Sequence, residues 1–198
     1  MSRIELSVDG APVAIGPGAS LLEAADVAGA WVPRLCHVPG RQARAVCRLC
    51  MVEVGGRVVS ACSTPALAGM DVRTDTERVR GIRRTVMAWT LSEHGGPCGE
   101  PGCEVCGLAR RIGVTATDLR TPPKPPAVDS SADYLRLDHA LCVHCDRCIT
   151  ACRDRATLDR AGRGESSRIA FDGGDADASG CVVCGDCAAA CPAGALTS

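Results

Sequence analysis

Two cysteine runs near the end of the chain, CVHCDRCITAC and CVVCGDCAAACP, pose the first chemical question. Each spaces its thiols C-x2-C-x2-C-x3-C, with Cys142, Cys145, Cys148 and Cys152 in one run and Cys181, Cys184, Cys187 and Cys191 in the other. Three thiolates on a tight loop can wrap one face of an iron-sulfur cubane, with backbone N–H groups directed at its sulfides. The fourth thiolate, one helical turn on, points away toward a second cluster. The expected ligand sets are therefore crossed. Cys142, Cys145, Cys148 and Cys191 would hold one 4Fe-4S cluster, and Cys152, Cys181, Cys184 and Cys187 the other. Zinc is the competing ion, but its sites usually use separated C-x2-C pairs, and the doubled run favours iron-sulfur.

Two further constellations lie upstream. The stretch HGGPCGEPGCEVC brings His94, Cys98, Cys103 and Cys106 together with glycines and prolines between them. One imidazole and three thiolates suit an iron-sulfur cluster, and they also suit zinc; a plain Gly/Pro loop with reduced thiols is the third reading. Nearer the N-terminus stand Cys36, Cys47, Cys50 and Cys62. Their spacing is not the plant-type C-x4-C-x2-C, but four cysteines are the right number for a 2Fe-2S cluster. His37, His139 and His144 neighbour motifs that already have four cysteines, which makes them supporting or surface residues rather than ligands.

Composition agrees with metal chemistry. The chain has 198 residues and 15 cysteines. Disulfides would call for an export signal and usually an even count; the polar start MSRIELSVDG has no apolar signal core. No apolar run is long enough to span a bilayer. The expected location is cytoplasmic, without membrane insertion. Only Trp31, Trp89, Tyr134 and Phe171 are aromatic, so large aromatic cores are excluded and bound clusters are the natural substitute. A formal net charge of -1 leaves no basic footprint for nucleic acid.

The elements that must position these residues can be read in outline. RIELSV and PVAI flank an Asp-Gly turn, and MVEV and RVVS flank Gly55-Gly56, which predicts two hairpins. Ser20 and Glu23 form a capping-box pattern opening a helix that runs to about Gly29. ERVRGIRRTVMAWTLSE, residues 77–93, places Val79, Ile82, Val86, Trp89 and Leu91 at helical spacing, with its arginines expected on a solvated face. A short helix is expected after Cys106, and each C-terminal cysteine run should lead into another. TPPKPPAVDSSAD reads as a stiff extended linker. The expected class is α+β: an N-terminal β-grasp 2Fe-2S ferredoxin-like domain over 1–76, a helical 4Fe-4S module with one histidine and three cysteines over 77–120, a Pro-rich linker over 121–133, and a C-terminal bacterial two-4Fe-4S ferredoxin-like domain over 134–198.

Taken in order, CRLCMVEV, ACSTPALAGMDVRT, the arginine-rich helix into SEH, and CVVCGDCAAACPAGAL resemble the cluster-bearing modules of NAD-linked formate dehydrogenases and the diaphorase small subunit of NAD-reducing nickel-iron hydrogenases. The N-terminal region of the complex I large peripheral subunit is similar, although the two-cluster tail here is closer to the first two. The resemblance covers nearly the whole chain. It implies Cys36, Cys47, Cys50 and Cys62 as 2Fe-2S ligands, and a 4Fe-4S cluster on His94, Cys98, Cys103 and Cys106. The family spacing at the latter site is H-x3-C-x2-C-x5-C, whereas this chain has H-x3-C-x4-C-x2-C. The middle cysteine has moved, and Gly99, Pro101 and Gly102 supply the turn that would absorb the change. Arg153 is another departure, standing where a proline often follows the fourth cysteine.

The resemblance further implies a non-catalytic electron-transfer subunit of a multisubunit NAD(P)-linked oxidoreductase. It would relay single electrons through one 2Fe-2S and three 4Fe-4S clusters. Its partners would be a flavin/NAD(P)-binding subunit and a catalytic subunit, either a molybdenum/tungsten-pterin formate dehydrogenase or a nickel-iron hydrogenase. No G-x-G-x-x-G after a strand and no P-loop is present, so no residue is expected to be catalytic. A free-standing multi-cluster ferredoxin, acting as a diffusible carrier, is the alternative.

Overall fold

The structure is a computed structural model. It describes residues 3–116, 119, 128–152, 157–172, 174 and 179–198. The chain forms two compact units, one of Met1–His37 with Gln42–Met87 and one of Val38–Arg41 with Ala88–Ser198.

In the first unit, β1 (Ile4–Val8) and β2 (Ala11–Ile15) pair antiparallel across Asp9 and Gly10. Both turn residues have positive φ (50° and 83°), the geometry that makes Asp-Gly a hairpin turn. Helix α1 (Leu21–Val27) opens on the expected capping box: Glu23 N donates to Ser20 Oγ at 3.2 Å, and Ser20 N donates to Glu23 Oε2 at 2.7 Å. It stops two residues short of Gly29, capped at Ala28. A second hairpin joins β3 (Met51–Val54) to β4 (Arg57–Ser60), and β5 (Asp71–Arg73) completes a sheet ordered β2-β1-β5-β3-β4. β5, which no local pattern announces, runs parallel to β1 and antiparallel to β3 and so ties the hairpins into one sheet. Leu21, Leu22, Ala24 and Ala25 from α1 share a core with Leu6, Val8, Val52 and Val72.

Helix α2 (Glu77–Glu93) has the expected bounds and only part of the expected face, with Ile82 and Val86 half-buried. Val79, Arg83, Met87 and Leu91, four residues apart, are the buried stripe, while Trp89 is 51% exposed. One of the arginines assigned to a solvated face is therefore interior. Arg83 is 4% exposed, and its Nη2 donates to the Met51 carbonyl at 2.7 Å.

In the second unit, α3 (Glu104–Ile112) begins before Cys106 rather than after it, because Cys103 serves as its N-cap. Gly113, left-handed at φ 85°, closes it. Of the expected linker, residues 121–127 lie outside the described residues. Val128–Ala132 is strand β6, paired with β7 (Leu135–Asp138); β10 (Leu196–Thr197) lies on the other edge of β7. The cysteine runs carry α4 (Arg147–Ala151) and α5 (Asp186–Ala189). Between them, β8 (Leu158–Ala161) and β9 (Arg168–Phe171) form a separate hairpin. Arg153 lies outside the described residues. Among the described residues, no helix is long and apolar enough to cross a membrane.

Candidate iron-sulfur centres

The last turn of α2 delivers His94, whose N–H donates to the Thr90 carbonyl at 3.0 Å before Gly95 and Gly96 reverse the chain with positive φ. The imidazole is 1% exposed. Its Nδ1 is 2.9 Å from the Leu141 carbonyl, which can only accept, so Nδ1 carries the proton. Nε2, the other ring nitrogen, faces the thiols and lies 3.4 Å from Cys103 Sγ. Cys103 Sγ in turn accepts from Cys106 N at 3.5 Å, and the Cys98 and Cys106 sulfurs are 3.3 Å apart. All four ligand atoms of His94, Cys98, Cys103 and Cys106 lie within 4.8 Å of one another. Cys103, whose spacing departs from the family pattern, joins this group while capping a helix, and Gly99 (φ 74°) turns the loop behind it. Burial pushes the Cys103 thiol up to about 12. Burial would raise Cys98 too, but hydrogen bonding from His94, the Glu100 backbone, Cys106 and Cys103 brings it down to about 6.

The C-terminal runs line two separate concavities. Cys142, Cys145, Cys148 and Cys191 line one of ≈ 340 Å³, counting space open to solvent, with Leu137, Ile169 and Pro192 in its wall. Cys152, Cys181, Cys184 and Cys187 line another of ≈ 480 Å³, with Leu158, Phe171 and Val182. The runs cross, each lending its fourth cysteine to the other's cavity. The thiols respond accordingly. Burial, then Cys191 and Cys142, raise Cys145 to about 12, while burial together with Cys152, Cys181 and Cys184 raises Cys187 to about 11. The two loops also match in backbone. His144 (φ 53°) and Asp146 (φ 61°) hold the positions of Val183 (φ 55°) and Gly185 (φ 77°). A β-branched residue such as Val183 rarely adopts this conformation, and strain of this kind gathers where backbone N–H groups must converge on a ligand. In the first loop Arg160 braces the turn, its Nη2 donating to the His144 carbonyl at 2.9 Å and to the buried Asp146 carboxylate at 2.5 Å. Nothing in the sequence pattern around Arg160 announced this role.

In the first unit, Cys36, Cys47 and Cys50 sit on the loop between α1 and β3, and Cys62 follows β4. The thiols interact as two pairs. A hydrogen bond with Cys36 lowers Cys47 to about 6 and raises Cys36; one with Cys62 lowers Cys50 to about 7 and raises Cys62. Ala45 (φ 53°) and Arg48 (φ 55°), either side of Cys47, adopt the left-handed conformation seen in the other loops. No disulfide links any of the fifteen thiols.

The remaining histidines occupy supporting positions. His37 is half-buried, and burial followed by the Arg34 charge holds it below its ordinary value. His139 is buried, and His144 Nδ1 lies 3.9 Å from Glu93 Oε2. None of the three lines either C-terminal concavity.

Within the second unit the histidine site meets the set of Cys142, Cys145, Cys148 and Cys191 at two points. The Leu141 carbonyl held by His94 precedes Cys142, and Glu104 N donates to the carbonyl of Pro192, next to Cys191, at 3.0 Å. Arg147 and Glu104, paired at 2.7 Å, fasten the same junction.

Comparison with known proteins agrees with this chemistry. Residues 1–77 match the model of a 2Fe-2S iron-sulfur cluster binding domain, and residues 141–195 that of a 4Fe-4S dicluster domain. The chain is 34% identical to the NADP-reducing hydrogenase subunit HndD of Solidesulfovibrio fructosivorans, over 99% of its own length and 36% of that protein's. It is 27% identical to the NAD-reducing hydrogenase HoxS subunit gamma of Cupriavidus necator, covering 98% of this chain and 86% of that one. A chain of the crystal structure of an NAD+-reducing [NiFe]-hydrogenase in the H2-reduced state superposes with a TM-score of 0.88 at 31% identity, covering 98% of this chain and 86% of that one. The chain spans about a third or less of the length of most curated relatives it matches. With ferredoxin-type domains in the same order and a near-complete structural match, the chain belongs to the family of iron-sulfur subunits and modules found in NAD(P)-reducing hydrogenases, formate dehydrogenases and complex I.

Proposed function

We propose that this chain is a non-catalytic electron-transfer subunit that relays single electrons through one 2Fe-2S and three 4Fe-4S clusters, between a flavin/NAD(P) subunit and a catalytic subunit of the hydrogenase or formate dehydrogenase type. The observation that carries this reading is the grouping of sixteen candidate ligands into four sets, with the crossed sets lining separate concavities and His94, Cys98, Cys103 and Cys106 within 4.8 Å. The donor chemistry fits, since thiolates, with an imidazole at one site, are the ligands that iron-sulfur groups take.

Cys36 with Cys47 and Cys50 with Cys62 would each hold one iron of the 2Fe-2S group. His94 Nε2, Cys98, Cys103 and Cys106 would hold a 4Fe-4S group, as would each crossed cysteine set. When bound, the clusters supply one-electron couples. The chain's task is to hold, orient and shield. Leu137, Ile169 and Phe171 keep water from the cysteine loops, the left-handed residues tighten those loops, and the Leu141 carbonyl orients the His94 ring. His94 to Leu141 and Glu104 to Pro192 supply short through-bond connections from the histidine set to the set of Cys142 and Cys191. The cysteine crossover then joins that set to the one containing Cys152. The HoxS subunit gamma, which the chain covers at 86%, favours a hydrogenase as catalytic partner. The proposed location is the cytoplasm.

The test is iron, acid-labile sulfide and zinc on anaerobically purified protein, with reduced EPR and pull-down of the native complex. About 14 irons per chain is expected. About 10 would remove the histidine-ligated cluster, zinc in place of iron would reject the relay, and elution without a partner would make the protein a diffusible ferredoxin.

A further inference from the structure

Arg83 carries its charge into the protein interior. It lies on the inner face of α2, 4% exposed, where a guanidinium is rarely left without an anion. Among the described residues no carboxylate lies within ion-pair distance, and its Nε has no hydrogen-bond partner. Its one strong contact, Nη2 to the Met51 carbonyl at 2.7 Å, places it beside the residue that follows Cys50. Burial disfavours its charge; Asp75, Cys50 and Asp9 favour it. The two carboxylates already have closer partners. Asp75 pairs with Arg80 at 2.9 Å, and Asp9 accepts from Thr74 N at 2.7 Å. Arg34 also feels Cys50, but it is neutralised by its ion pair with Asp26. Among the described residues, the anionic group left to balance Arg83 is the four-thiolate set built on Cys50, whose chain neighbour Met51 it holds.

We propose that Arg83 is the resident counter-charge of the Cys36, Cys47, Cys50 and Cys62 site, and that it raises the midpoint potential of the 2Fe-2S cluster held there. The inference rests on the 2Fe-2S reading of that site. Reduction adds one electron from an external donor and makes the cluster assembly one unit more negative; no bond breaks, and Arg83 keeps its protons. A fixed cation in a weakly screening interior stabilises the reduced form more than the oxidised one. Arg83 is thus a positioning and tuning residue, since it approaches the cluster through the Met51 carbonyl rather than as a ligand.

The test is redox-titrated EPR of the 2Fe-2S signal in the full chain, comparing wild type with Arg83→Gln, Arg83→Met, Arg83→Lys and Arg84→Gln. Arg83→Gln keeps a donor without the charge, and Arg83→Met removes charge and donor together, so the pair separates the charge from the hydrogen bond to the Met51 carbonyl. Both should lower the midpoint, and Arg83→Lys should restore most of it. Arg84→Gln, removing the exposed neighbouring charge, should leave it in place. An unchanged midpoint in either uncharged variant with an intact signal overturns the proposal. Loss of the signal in both, with helix content retained, reduces Arg83 to a structural anchor and overturns it equally. A wild type with no 2Fe-2S signal and no matching iron would instead reject the site itself.

Discussion

His94 Nδ1 and the Leu141 carbonyl are 2.9 Å apart, and this contact decides which nitrogen faces the thiols of Cys98, Cys103 and Cys106. A neutral imidazole ligand leaves its cluster less negative than four thiolates would, and raises its potential as histidine does in Rieske centres. His94→Cys should therefore lower the midpoint of one 4Fe-4S signal. An unchanged midpoint in redox-titrated EPR would exclude His94 as a ligand.

Cys103 caps α3 with its sulfur 3.4 Å from His94 Nε2, so Cys103→Ala removes a proposed ligand and an N-cap together. Iron should fall from about 14 to about 10 per chain while the 2Fe-2S signal persists. Retention of all the iron would mean that the thiol is only a cap.

Arg160 joins the His144 carbonyl to the Asp146 carboxylate across the loop of Cys145. Asp146 is 2% exposed, so Arg160→Met takes the guanidinium away from a buried carboxylate, a loss of about 2 kcal/mol once the partial exposure of Arg160 is considered. The urea midpoint should drop. The cluster of Cys142, Cys145, Cys148 and Cys191 should become the more easily stripped by chelator, measured as iron retained against time.

Acid stability of the first unit depends in part on Glu23. The Ser20 backbone and side-chain hydrogen bonds hold its carboxyl below the ordinary 4.5. The ionised form is favoured by folding, so the contribution is complete above about pH 4.5 and is lost as pH falls through the depressed folded-state value. Ser20→Ala should cost about 1 kcal/mol at neutral pH. The difference between variant and wild type should shrink in acid, as followed by thermal melts from pH 7 to 3.

The opposite sign holds for the C-terminal thiols in cluster-free protein. Burial raises Cys145 to about 12 and Cys187 to about 11 from an ordinary 9.0. Folding favours the neutral thiols, so their contribution is present below pH 9.0 and disappears as pH rises toward the folded values. Apo protein should lose melting temperature above about pH 9. Reconstituted protein, whose thiolates are already deprotonated by metal, should not follow it.

Much of the architecture follows from local signals. Asp9-Gly10 and Gly55-Gly56 fix hairpin turns because few other residues tolerate positive φ there, and Ser20 with Glu23 fixes a helix start because the reciprocal hydrogen bonds span only three residues. The crossed partnership of Cys152 and Cys191 was also legible, since a thiol one helical turn beyond a tight loop cannot turn back to the same cluster.

What the sequence determined alone was the inventory: four groups of cysteines in order, one with a histidine, on loops rich in glycine and turn residues. Only the tertiary structure decided how the moved cysteine regains its site, which histidine nitrogen faces the thiols, and which arginine lies inside. Cys103 reaches His94 by capping α3, the Leu141 carbonyl comes from 47 residues away, and Arg83 differs from its neighbour Arg84 only in the helix face it occupies. These outcomes depend on contacts between segments far apart in the chain, and local spacing carries no information about which distant carbonyl or thiol will arrive.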